Sequence, residues 1–268
     1  MGLLSFLQRD PILDYLRNTY DAIPLKVPDT RIKPMTIFVL SKGRARYLGG
    51  LADFSSNGQW KPPRIASTNL PEISNKKSNN LNWSVAADLL GPFLSNLSEL
   101  SESEIRASLD VCQKSSKNII VRIGATRRRS IAPILLDKAI KNDRFQIPSA
   151  FSDQKLLLID SVLETSEMTM QLAGDSSSRV MAEVAADLNA KFGSENAFHS
   201  QTKLTVKGDK KIPFAFTCME LTRSEQGEVI GVQLPTQIPT YGAVPKMGLS
   251  PAKHELVGGN HEVFTLDD

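Results

Sequence analysis

The stretch Lys155–Leu172, KLLLIDSVLETSEMTMQL, decides the fold. It opens with the composition of a buried strand and continues as a polar/apolar alternation, the two-residue period of a strand with unlike faces. A globular strand usually runs for about 5–6 residues, so this one is long. Leu156, Leu158, Val162, Met168, Met170 and Leu172 share one parity, which Asp160 and Glu164 interrupt. Downstream, Asp175–Lys191 is an amphipathic helix with Val180, Met181, Val184, Ala185 and Leu188 on one face. Gln201–Val206 and Ile212–Leu221 are strands, and Lys207-Gly208-Asp209-Lys210 between them has hairpin-turn composition. A second hairpin at Glu225–Glu228 leads into Val229–Leu234.

Upstream, Asn118–Ile123 (NIIVRI) is a strand, and Ile105–Lys114 alternates. Gly124–Arg129 then turns into a helix at Ser130–Lys141, with Ser130 or Thr126 as its N-cap. Residues 83–100 are apolar but interrupted by Gly91-Pro92. Residues 55–82 read as loop, with one weak strand at Ile65–Thr68. Prolines at 24, 28 and 34 forbid a helix before the buried-strand run Met35–Leu40, which is followed by Lys42, Arg44 and Arg46 in a glycine-flanked turn. Beyond Pro11, Ile12, Leu13 and Leu16 fit a short helix. The class is α+β, with a twisted, mostly antiparallel sheet flanked by short helices.

Composition narrows the function. The 268 residues are 41% hydrophobic and 23% charged, enough for one large domain or two small ones without staples. Cys112 and Cys218 are too few for a disulfide framework, which favours a reducing cytoplasm. No run approaches the roughly 20 apolar residues of a membrane helix. The N-terminus has neither the basic start nor the cleavage site of a secretory signal, and Phe6 stands where a myristoylation pattern needs Ser or Thr. The net charge of +3 is unevenly placed: residues 250–268 hold Lys253 against Glu255, Glu262, Asp267 and Asp268. A basic body with an acidic tail suggests that the two associate or that the body attracts an anionic partner; alternatively the acids only solubilise the tail.

Enzyme signatures are missing. His199, His254 and His261 have no partner at metal-ligand spacing, and there is no HExxH, GxGxxG, GxxxxGK[ST] or GxSxG. Cys218 lies in the apolar run FAFTCMEL and reads as a small buried side chain, not a nucleophile. No cofactor or metal is expected.

Three segments in order carry a resemblance. They are Pro24-Leu25-Lys26-Val27-Pro28 with Ile32-Lys33-Pro34-Met35; Leu156–Thr165 (LLLIDSVLET); and Ile212-Pro213-Phe214-Ala215-Phe216 with Glu220-Leu221. This arrangement resembles the bacterial gasdermins across essentially the whole chain. The chain departs from many of them in lacking a cysteine within its first residues. The resemblance implies a gasdermin N-terminal-domain-like fold at 1–241, a protease-accessible linker at 242–250 and a short autoinhibitory tail at 251–268. It implies cleavage at Leu249–Ser250, with Lys246 as second choice, by a caspase-like or other protease encoded nearby. Leu256, Val257, Val263, Phe264 and Leu266 would hold the tail on the body. Leu3, Leu4, Phe6, Leu7, Lys42, Arg44, Arg46, Arg127, Arg128 and Arg129 would meet an anionic membrane. The intact chain would be cytoplasmic. The cut chain would self-assemble on the inner membrane into a large β-barrel pore that kills the cell in anti-phage defence. Candidate membrane strands are Trp83–Leu97 with Ile105–Ile123, and Leu156–Leu172 with Gln201–Phe216. Few aromatics and no groove-binding motif argue against nucleic acid as a partner. The contrasting reading is a non-catalytic soluble α+β binding or scaffold protein with a disordered C-terminus.

Overall fold

The computed structural model describes residues 11–24, 31–41, 44–56, 60–74, 118–151, 153–173, 197–200, 203–235, 254–258 and 262–267. The expected helix over Asp175–Lys191 and the segments Trp83–Leu97 and Ile105–Lys114 lie outside them, as does Cys112. The chain divides into two compact units, each assembled from separated segments.

The larger unit comprises Asp21–Leu70, Arg127–Glu164 and Pro213–Asp268. Its strands are β1 (Ile23–Pro24), β2 (Thr36–Ser41), β3 (Arg44–Gly50), β4 (Ala66–Asn69), β7 (Arg127–Ser130), the start of β8 (Lys155–Ala173), the end of β10 (Lys203–Arg223), β11 (Val229–Gln233), β12 (His254–Gly258) and β13 (Glu262–Asp267). The sheet order is β1-β10-β8-β2-β3-β13-β12. The β2–β8, β2–β3, β7–β8, β10–β11 and β12–β13 ladders are antiparallel, and β13 on β3 is parallel.

Continuous apolar runs in β2 and β8 are explained by a sheet covered on both faces. Ile37, Val39, Leu156 and Leu158 join one cluster with Phe145, Met219 and Leu221. Phe38, Leu40, Leu157 and Ile159 join another with Ile23, Ile32 and Phe216. Every residue from Leu156 to Thr165 is buried. Val162 packs with Leu157 and Ile159, so the single parity expected for Leu156, Leu158 and Val162 does not hold. Burying each such side chain stabilises by roughly 1.5–3 kcal/mol.

Helix α2 (Pro133–Lys141) covers the first cluster with Leu136 and Ile140, one turn apart. Its N-cap is Ala132, with Pro133 in the first turn, not Ser130 or Thr126. Proline suits that position because its missing N–H would be unpaired there anyway. Ser130 instead ends β7, and the Thr126 hydroxyl donates to the Ile123 carbonyl at 3.2 Å.

The expected Glu225–Glu228 hairpin is present between β10 and β11. Gly227 sits at φ +80, the left-handed conformation that such a turn requires, and donates to the Ser224 carbonyl at 3.0 Å.

The smaller unit comprises Met1–Tyr20, Pro71–Thr126 and Thr165–Ile212. It holds α1 (Pro11–Tyr20), β5 (Ile73–Ser74), β6 (Asn118–Gly124), β9 (Ala197–Ser200), the end of β8 and the start of β10. β6 pairs antiparallel with β8, from Asn118 opposite Ala173 to Gly124 opposite Glu167. β9 pairs antiparallel with β10, Ser200 opposite Lys203.

Lys207–Lys210 is therefore no hairpin turn but the interior of a 21-residue strand. Asp209 and Lys210 are exposed. A solvated strand face and a solvated turn share composition, and backbone pairing decides between them. The weak strand expected at Ile65–Thr68 is β4 at Ala66–Asn69.

Candidate functional site

Three features could bear on function: the C-terminal hairpin, a buried carboxylate clamp, and two very long strands.

Residues from the acidic tail form β12 and β13, joined with His254 opposite Leu266 and Gly258 opposite Glu262. β13 then adds to the edge of β3, Leu266 opposite Ala45 and Asp267 opposite Arg46. Main-chain pairing of this kind satisfies edge N–H and C=O groups that would otherwise seek another chain. The backbones of Leu256, Val257, Val263, Phe264 and Leu266 thus lie in the two tail strands. Leu249, Ser250 and Lys246 lie outside the described residues, as do Leu3, Leu4, Phe6, Leu7 and Lys42. Arg44 and Arg46 belong to β3 and not to a turn; the Arg46 side chain is exposed.

Arg127–Arg129 also form a strand, not a turn, and the reason lies on β8. Arg127 donates to Glu164 from Nε at 3.1 Å and Nη2 at 2.6 Å, and Arg129 from Nη1 at 3.2 Å. Arg128 Nε donates to Ser161 Oγ at 2.8 Å. The Glu164 side chain is 6% exposed and the two clamping arginines about a third. In this form the charges of Arg127 and Arg129 are committed to Glu164. Nearby, the Thr217 hydroxyl donates to Asp160 Oδ1 at 2.9 Å. Burial pushes the Asp160 carboxyl above its ordinary range, against the Thr217 bond and the Arg128 charge that pull it down. Burial likewise pushes the Cys218 thiol up, so it is an inert core cysteine.

In the smaller unit, the ladder of β6 and β8 sorts side chains by face. Val121 is opposite Met170 and Ile123 opposite Met168, all four buried. On the other parity Arg122 is opposite Thr169. Thr169 shares a hydrogen bond with Thr205 of β10 at 2.9 Å, and Lys207 meets Glu167 at 3.3 Å. The result is one apolar and one polar face. Strands β8 and β10, of 19 and 21 residues, extend to roughly 63 and 69 Å at about 3.3 Å per residue. A membrane-crossing strand needs only about 9–11 residues. Among the described residues no helix is long and apolar enough to cross a membrane, and no group of three or more His, Cys, Asp or Glu could hold a metal ion.

Asp160, Glu164 and Thr217 of the larger unit form a polar set that sequence reasoning missed, as do Thr169 and Thr205 of the smaller unit. For the larger unit's set the one visible signal is the break in parity at Asp160 and Glu164.

An α+β body with strands of this length, and a C-terminal hairpin closing a sheet edge, defines the class. The sequence matches the Bacterial Gasdermin Family over residues 25–228. The chain belongs to the bacterial gasdermin family, a family of pore-forming proteins. It is 23% identical over 232 residues to Gasdermin bGSDM of Vitiosangium sp., covering 82% of this chain and 83% of that protein. The structure of a bacterial gasdermin from Bradyrhizobium tropiciagri is similar at a TM-score of 0.55 and 16% identity, over 84% of this chain and 92% of that one. That likeness supports the fold: a mostly antiparallel sheet with few helices.

Proposed function

We propose that this protein is an autoinhibited pore-former whose C-terminal hairpin holds it inactive until a protease removes it. The observation that carries the reading is β13 lying parallel on the edge of β3. While the hairpin occupies that edge, no second copy can pair there. Cleavage in the 242–250 linker, at Leu249–Ser250 by preference or after Lys246, separates residues 251–268 from the body 1–241. The exposed edge and the long strands then become available for assembly of copies into a β-barrel in an anionic inner membrane. Leu3, Leu4, Phe6, Leu7, Lys42, Arg44 and Arg46 make the first contact. Arg127, Arg128 and Arg129 join only if β7 leaves β8, because Glu164 and Ser161 hold them now.

Physical requirements support the reading. The β6–β8 ladder already separates an apolar from a polar face, as a lipid-facing and lumen-facing strand must. β8 and β10 each exceed a membrane span about two-fold. A short tail can tip such a balance if the two packings differ by only a few kcal/mol. Cell death in defence against phage, with the protease encoded nearby, is the role this device fits; no cofactor, nucleic acid or catalytic step is required.

Expression in bacteria tests it. The chain ending at Leu249 should stop growth, and the full chain should be tolerated. Equal growth of both would reject autoinhibition.

A further inference from the structure

Strands β6 and β7 pair with β8 in one and the same register. Gly124, the last residue of β6, is opposite Glu167, and Arg127, the first of β7, is opposite Glu164. Two residues intervene on each side, Ala125-Thr126 against Thr165-Ser166. A β-bulge would set an extra residue on one strand against its partner. Here the counts match, so Asn118–Ser130 runs along β8 as a single strand broken by a local kink.

Ala125 makes the kink. Its φ of +46 lies in the left-handed region, where Cβ crowds the following carbonyl and residues other than glycine seldom stay. The other described non-glycine residues of positive φ, Asp21 and Met35, each stand ahead of a strand and not between two halves of one. Side chains serve the main-chain groups that the break leaves. Thr165 Oγ donates to the Gly124 carbonyl at 2.5 Å and accepts from the Glu167 N–H at 3.0 Å. Thr126 Oγ donates to the Ile123 carbonyl, and Lys211 Nζ to the Ala125 carbonyl. Both threonines are buried. All of these residues belong to the smaller unit.

The matched register allows a second state. Straightened, Ala125 and Thr126 would pair with Ser166 and Thr165, and the left-handed strain would be gone. No other residue would change face, because neither strand has to slip. Main-chain groups in a barrel wall must pair with a neighbouring strand. The straight form meets that demand at Ala125, and the kinked form does not.

We infer that Ala125–Thr126 is a joint, kinked in the resting chain and straight in the pore, where β6 and β7 become one unbroken strand along β8. The inference rests on the pore reading above.

The test uses the full chain with the recognition sequence of a site-specific viral protease placed in 242–250, cut on dye-loaded vesicles of phosphatidylglycerol and phosphatidylcholine. Ala125→Gly favours the kink, because glycine takes a positive φ freely and is a poor strand former. Ala125→Val favours the straight strand, because a β-branched side chain resists a positive φ and suits a ladder. Before cutting, the melting temperature should rise by about 1–3 °C with Gly and fall by about 2–4 °C with Val. After cutting, dye release should be about 10-fold slower with Gly and about 10-fold faster with Val. Ile140→Val, at a buried site on α2, is the control for general loosening. It should lower the melting temperature by about 2–4 °C and leave release within about two-fold of the parent.

Equal release by the Gly and Val chains overturns the inference. So does an Ile140→Val chain that speeds release as much as Ala125→Val. Should the Val chain fail to fold, the Gly chain decides, and release at the parent's rate overturns the joint. A cut parent that releases no dye rejects the pore reading and takes the joint with it. A cut parent that releases dye, beside Gly and Val chains that match it, rejects the joint alone.

Discussion

Replacing Glu164 by Gln should cost this fold far more than a surface substitution. The carboxylate is 6% exposed and accepts three hydrogen bonds, two from Arg127 and one from Arg129. Gln keeps one acceptor oxygen but turns an amide donor toward a guanidinium and removes the carboxylate charge that both arginines face. Removing one partner of a fully buried ion pair costs about 3–5 kcal/mol. Here the arginines are about a third exposed and recover some hydration, so about 2–3 kcal/mol is expected. In a chain of this size that lowers the melting temperature by roughly 5–10 °C. Differential scanning calorimetry of Glu164→Gln beside Arg128→Gln is the assay. The Arg128 variant loses a single bond to Ser161 and should fall by only about 2–4 °C. The Glu164 loss should persist at 0.5 M salt, since a buried carboxylate is poorly screened. A Glu164 variant melting within about 1 °C of the parent, or one whose deficit vanishes in salt, would refute the clamp.

Two further perturbations follow from the same geometry. Asp160 holds its proton more tightly when folded than when unfolded, because burial raises its carboxyl above the ordinary value of 3.8. Between those two values the folded state binds more protons, so this group's contribution to stability falls as pH rises. Asp160→Asn keeps an oxygen for Thr217 and should raise the melting temperature at pH 7, with the gain shrinking toward pH 4; a gain that grows on acidification would contradict the sign. Leu266→Pro removes a backbone donor from the strand that bridges β12 and β3. In the full chain it should make expression toxic without cleavage, and normal growth of soluble Leu266→Pro protein would argue against edge capping.

Several elements were legible in the sequence for a physical reason. Met35–Leu40, Asn118–Ile123 and the start of Lys155–Leu172 are apolar runs rich in β-formers, and each is a strand. The α2 helix and the Gly227 hairpin announce themselves through periodicity and turn chemistry. Polar strands were not legible. Arg127–Arg129 reads as a turn because nothing local shows that Glu164 and Ser161 wait 37 and 33 residues away. Lys207–Lys210 reads as a hairpin because its charged side chains are those of a solvated strand face. The tail's role in a sheet was equally hidden. Its apolar residues suggested docking, but pairing with β3 is a backbone property that composition does not encode.

The most direct measurement is release of dye from acidic vesicles by protein lacking residues 250–268, with rings sought by electron microscopy on the same sample. The account expects rapid release and ring-shaped assemblies from the truncated chain, and neither from the full chain. A folded truncated chain that leaves the vesicles intact and forms no rings would contradict it.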